Sequence, residues 1–455
     1  MRRLSVLTIT VPVMVAAFAV AAPASGQKLL EALALAYRNN PALEAQRAQL
    51  RAIDEGVPRA MSGWRPDVRF TGDWTQLRRR TNNTSGFGTG DDSRKTYSGS
   101  FRITQNIYAG GRTEAEIRQS KHRVSAERAR LKLVEQQILL DGVIGYMNVF
   151  REQALLKLKI GNEQVLIRQL EATQDRFNVG EVTRTDVAQA ESRLSRAKAE
   201  RIQSEVDLEV SRALYKQIVG AAPTAVTRPE YPAALPATAQ EATAQAIQDN
   251  PEVVGAIYDE RASRDFVEVV KGELLPSVDI VGNVSRSRNR GTPDRTINDI
   301  TLAAELTVPL YQQGSVSSRI REAMQLAARD RLRIEVARRA AIENAASGFE
   351  RLAAARASIK SREVEVRATT IALEGVTQEA AVGSRTVLDV LDAEQELLDA
   401  QVNLVRDQRN AIVASYDLLA AIGRLTARNL GLAVDLYDQE RYYLRVRDKS
   451  WGYER

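Results

Sequence analysis

The sequence predicts an α+β membrane protein in which a few barrel strands stand on long coiled-coil helices. Three observations carry this. The 455-residue chain is one unit written twice. Each copy holds a helical pattern far longer than a globular helix, and each copy holds a pair of alternating strands.

The repeat is clearest at two turns. Val179-Gly180-Glu181-Val182-Thr183-Arg184-Thr185-Asp186 aligns residue for residue with Val382-Gly383-Ser384-Arg385-Thr386-Val387-Leu388-Asp389. Gly180 falls on Gly383, Thr183 on Thr386, Asp186 on Asp389 and Glu191 on Glu394, each pair about 203 positions apart. Tyr108 with Tyr311 and Gly220 with Gly423 keep that offset. Earlier in each copy the offset is about 210, with Asn40-Pro41 on Asn250-Pro251 and Arg65-Pro66 on Leu275-Pro276. The second copy is thus about seven residues shorter between its Pro and its Tyr, where a loop tolerates the change. The period is too long for a solenoid unit of roughly 20–50 residues.

The chain opens on a secretory signal peptide, residues 1–24. Arg2-Arg3 supply the basic start, residues 4–20 the apolar core, and Ala22-Pro23-Ala24 the small-residue cleavage site. A spanning anchor fits less well, because the run is short and a Pro follows. No later stretch reaches the ~18 continuous apolar residues of a membrane helix.

The first repeat covers residues 25–220. Its opening helix, 29–61, shows Leu29, Leu33, Ala36 and Tyr37 on one face and is interrupted at Asn40-Pro41. A hairpin follows over 65–108: Val68, Phe70 and Trp74 alternate with Arg69, Thr71 and Asp73, and Phe101 and Ile103 with Ser100 and Arg102. Residues 78–95 between them read as a polar loop. Residues 111–178 form one unbroken helix and 183–220 a half-helix. A Pro-rich linker spans 221–240. The second repeat, 241–423, runs the same way: helix, hairpin 276–309, long helix 314–381, half-helix 386–423. The tail, 424–455, is expected at mid-height, as surface packing or a disordered end.

At 1.5 Å per residue each long helix is about 100 Å. Two short helices laid end to end match that length. Each copy therefore builds two parallel rods, one continuous and one of two pieces meeting at mid-height. The hairpins fit either a soluble sheet with one buried face or a membrane barrel, apolar toward lipid and polar toward a lumen. Export and the repeat favour the barrel. Four strands cannot close one, and open edges in lipid leave unpaired backbone groups, so a barrel has to be shared between chains.

Composition excludes other classes. There is no Cys, hence no disulfide and no lipid-modified Cys. The net charge of +6 is spread along helices, without the clustered patch of a nucleic-acid binder. The one histidine, His122, lies mid-helix and is expected to face solvent. No metal cluster, phosphate loop or nucleophile elbow accompanies it, so neither catalysis nor a cofactor is expected. A purely structural or adhesive coiled coil explains the rods but not the hairpins.

Two copies of strand pair, long helix and turn resemble the TolC family of outer-membrane efflux and secretion channels. The Phe177-Asn178-Val179-Gly180 and Ala381-Val382-Gly383-Ser384-Arg385-Thr386 turns and the Asp389-Val390-Leu391-Asp392-Ala393 motif carry the resemblance. It implies a homotrimer in the outer membrane. A twelve-stranded barrel, four strands per chain, would continue into a coiled-coil tunnel in the periplasm. It also implies a periplasmic adaptor and an inner-membrane ABC or proton-driven pump as partners, with proteins or toxic small molecules as cargo. The missing Cys leans toward the secretion-type members.

The same resemblance implies a gate at the turns built on Gly180 and Gly383. Asp389 and Asp392 match the acidic ring of the tunnel mouth. Arg385 matches a latch, with Thr185 and Asp186 as acceptors. At Ala380 the chain departs from members that carry Tyr there. Thr183-x-x-Asp186 and Thr386-x-x-Asp389 are also capping boxes, which suffice to explain Asp186 and Asp389. Asp392 has Gln189 as its counterpart, so capping does not explain it.

Overall fold

The structure, a computed structural model, describes residues 28–81, 90–224, 226–290 and 294–453, with the backbone alone at 79–81 and 90–92. The expected signal peptide lies outside the described residues. So do residues 82–89 of the first hairpin.

Two helices of 67 residues dominate, α4 (Arg112–Asn178) and α8 (Ser315–Ala381). Each packs along a rod of two pieces. Against α4 lie α2 (Pro41–Asp54), α3 (Gly56–Met61) and α5 (Arg184–Val219). Against α8 lie α7 (Pro251–Gly272) and α9 (Val387–Ala421). The opening helices are shorter than expected. Asn40 and Asn250 adopt extended backbone, and the Pro that follows cannot continue the preceding helix. Helices α1 (Leu29–Asn39) and α6 (Ala239–Asp249) therefore leave the rods and pack on the long helices.

One side chain joins the pieces of each rod. Asn40 Oδ1 accepts from Ala42 N at 2.9 Å, capping α2, while its Nδ2 donates to Ile218 O at 3.1 Å, near the last turn of α5. Asn250 does the same for α7 and α9 through Glu252 N and Ala421 O, both at 2.9 Å. Around these joints the main core gathers Leu33, Leu43, Leu139, Tyr146, Tyr215 and Ile412, all fully buried. The linker is held there by Tyr146, whose hydroxyl donates to Thr227 O at 2.9 Å.

The strands form one antiparallel sheet in the order β1 (Asp67–Thr81), β2 (Gly90–Ala109), β3 (Ser277–Arg288), β4 (Thr296–Thr307). Its outer edges, β1 and β4, pair with nothing else among the described residues. The register sorts the two faces. Phe70, Phe101, Val284 and Ile300 share one row; Val68, Ile103, Gly282 and Leu302 share the next. Ile300 and Leu302 are 84% and 80% exposed. The opposite face carries Arg69, Arg102, Asn283 and Thr301.

The first hairpin is longer than its alternation indicates. Pairing continues past Trp74↔Tyr97 to Thr81↔Gly90, so residues expected as loop form a two-stranded ribbon above the sheet. A ribbon in water needs no apolar face, so its polar composition hid the strand.

The tail starts at mid-height, with Leu425, Ala427 and Leu432 in the main core, but does not stay there. It leaves mid-height and climbs along α2. Tyr437 N donates to Tyr37 Oη at 3.1 Å, Tyr442 Oη to Glu55 at 2.7 Å, and Arg65, two residues before β1, to Lys449 O at 2.9 Å. A short helix, α10 (Arg441–Val446), lies on this path. Beside it Asp54 is fully buried, and neither of its carboxylate oxygens has a hydrogen-bond partner among the described residues. Burial pushes its pKa up to about 6, against the opposing charge of Arg128. His122 is not solvent-facing: its Nδ1 lies 2.7 Å from Asp265 Oδ2, half-buried between α4 and α7.

Candidate gate at the helix tips

The far ends of the rods carry two turns with one backbone. Gly180 and Gly383 take φ of +81° and +79°, a region where a Cβ is costly. Glu181 N donates to Arg176 O at 2.9 Å, and Ser384 N to Glu379 O at 3.0 Å. This six-to-one bond is the Schellman closure of a helix C-terminus. Three residues beyond each glycine a capping box starts the next helix. Thr183 N and Thr386 N donate to Asp186 and Asp389 at 2.8 and 2.9 Å. The threonine hydroxyls accept in return from Asp186 N and Asp389 N. These bonds hold the pKa of Asp389 below the usual carboxylate range: first the Thr386 backbone, then its hydroxyl, with Arg385 adding to them.

The charges on the two turns differ. In the first, Arg176 pairs with Glu181 at 3.2 Å. In the second the order is reversed: Glu379 ends the helix and pairs with Arg385 at 2.9 Å. Arg385 thus finds an anion within its own turn. Thr185 is exposed, and the Asp186 carboxylate is engaged by Thr183. Within one chain the expected latch residues are not brought together. Ala380, the position at which the chain departs from the resemblance, is buried.

Asp392 is exposed on α9 and pairs with Arg193 of α5 at 2.5 Å. This ties the two helix hairpins together near their tips. Beneath it Leu166, Ala190, Leu194, Val387 and Leu391 form a small separate core. Arg193 was missed from the sequence. A signal was present: it lies one helical turn beyond Gln189, the counterpart of Asp392, and its own counterpart is Glu396.

A sheet with one lipid-compatible face and two open edges, standing on rods that end in matched turns, defines a tunnel-forming outer-membrane channel. Residues 32–221 and 242–424 match the family described as outer membrane efflux protein, and the chain belongs to it. It is 33% identical over 430 residues to the outer membrane efflux protein BepC of Brucella suis, covering 94% of this chain and 92% of that one. To the outer membrane protein TolC of Escherichia coli it is 23% identical, over 89% and 84% of the two chains. The fold matches the CmeC outer membrane channel of Campylobacter jejuni with a TM-score of 0.80 at 13% identity, over 93% and 90%. The protein is an exit duct of the outer membrane that extends into the periplasm.

Proposed function

We propose that three copies close a twelve-stranded barrel and a tunnel beneath it, passing proteins or small toxic compounds outward. An inner-membrane ABC or proton-driven pump delivers the cargo through a periplasmic adaptor. The observation that carries the reading is the sheet with unpaired edges β1 and β4 and an exposed apolar face. In lipid such edges must pair with another copy.

The tunnel is gated at the turns of Gly180 and Gly383. Asp389 and Asp392 of three copies ring the mouth with six carboxylates, which favour cations and bind polyvalent ones. Arg385 exchanges its own Glu379 for Thr185 and Asp186 of a neighbouring copy and latches the closed state.

Single-channel conductance in a planar bilayer tests this, for wild type and Asp392→Ala, with and without a trivalent cation. Small cation-selective steps, blocked by the trivalent ion in wild type only, are expected. Steps that the ion blocks equally in both proteins would remove Asp392 from the ring. A folded protein that remains a monomer in detergent would overturn the shared barrel.

A further inference from the structure

The lipid-facing side of the sheet carries two cations that the channel reading does not use. Rows run upward across it from Tyr108, Val278 and Leu306. The fifth row is Gly72, Gly99, Arg286 and Asn298; the sixth is Trp74, Tyr97, Arg288 and Thr296. Ten residues of strand separate the first row from the last on β3. At about 3.3 Å per residue and a tilt of about 40°, that is a height of about 25 Å, the height of the apolar band of an outer-membrane barrel. Tyr108 and the Trp74–Tyr97 pair thus mark the two membrane interfaces. Arg288 lies at the outer interface and Arg286 one row inside it.

Neither guanidinium makes a hydrogen bond or ion pair among the described residues, and both are exposed. An unpaired Arg on the lipid face is costly at the bilayer centre and tolerated where lipid headgroups begin. Beside the two arginines the sheet is hollowed. Gly72 and Gly99 sit side by side; the Phe70 ring leans over both, 3.6 Å from where a Cβ would stand, and leaves the space beyond it, toward Trp74 and Tyr97, open. The trough holds about 470 Å3 and is open toward the membrane. Asp73, which alternates onto the opposite face, accepts from Ser98 Oγ at 3.4 Å.

We propose that this patch binds a phosphorylated lipid of the outer leaflet. Arg286 and Arg288 hold its phosphate, Trp74 and Tyr97 cover its headgroup, and an acyl chain lies in the trough against the Phe70 ring that covers Gly72 and Gly99. The guanidinium fork matches phosphate geometry bidentately. The aromatic pair supplies the amphipathic rings that settle at headgroup level.

Native mass spectrometry of the full chain in detergent, titrated with diphosphoryl lipid A, tests the proposal. R286Q/R288Q should weaken binding about tenfold, the loss of a charge-assisted contact. Wild type should bind fully dephosphorylated lipid A no better than the double variant binds the phosphorylated form. Gly99→Leu keeps both charges but fills the trough. It should weaken the lipid, leave inorganic pyrophosphate binding unchanged, and control for misfolding of the arginine variant. Equal lipid affinity in wild type and R286Q/R288Q overturns the proposal. Pyrophosphate competing as well as the lipid does overturns it too, leaving an anion site without lipid recognition.

Discussion

The two tip turns share a backbone and differ in charge, and the difference makes one of them depend on a single arginine. In the first, Arg176 ends α4, where a cation complements the negative end of the helix dipole, and Glu181 follows it. In the second, Glu379 occupies the matching position. A carboxylate there opposes the dipole and depends on Arg385 to offset it. Both turns pair internally, but in the second the pair also offsets a misplaced carboxylate, and its guanidinium is the one the proposed latch would recruit.

The sharpest way to break this comparison is to remove the two arginines separately. Arg385→Ser should raise resting conductance in planar bilayers by about tenfold or more, since bonds to charged groups are worth roughly 1.5–3 kcal/mol. Arg176→Ser should leave it unchanged. Equal effects at both turns would erase the asymmetry.

Arg193→Ala probes the second difference between the hairpins. It frees Asp392 from its partner, so block by a trivalent cation should strengthen about three- to fivefold, because an exposed pair is worth up to about 1 kcal/mol. A current–voltage series at several ion concentrations reads this. If block is unaltered, Arg193 does not mask the ring.

A third comparison sets tip against shaft through pH. Asp54 titrates near 6 when folded and near 3.9 when unfolded. The folded state therefore holds the extra proton between about pH 4 and 6. Asp54 contributes stability below that window, and the contribution is lost as pH rises through it. Asp389 is shifted the other way, so its stabilisation is present above the unfolded carboxylate range and is lost on acidification below about pH 4. Asp54→Asn should stabilise the shaft at pH 7.5 by about 1–2 kcal/mol and flatten the melting profile between pH 4 and 6. A slope that survives the substitution would place its origin elsewhere.

Much of this was legible because it is local. Thr183-x-x-Asp186 and its twin announce capping boxes, Asn-Pro announces a helix break, and strict alternation marks Phe70 and Ile300 as one face. The features that were not legible depend on long-range contact or on solvent. Arg193 meets Asp392 only because α5 and α9 lie side by side. The tail's climb depends on Tyr37, Glu55 and Arg65, each more than 380 positions away from its partner. The ribbon above the sheet lacks the apolar alternation that marks the strands below it. Arg385 found Glu379 six residues away in its own turn, where the resemblance had pointed to Thr185 and Asp186.

The joints at Asn40 and Asn250 have a mechanical consequence. A continuous helix resists bending along its whole length, but a rod spliced through one carboxamide has a single compliant point. Below the Asn250 joint α9 is a lever of 35 residues, about 50 Å long at 1.5 Å per residue. A tilt of about ten degrees at the pivot swings its end by about 9 Å.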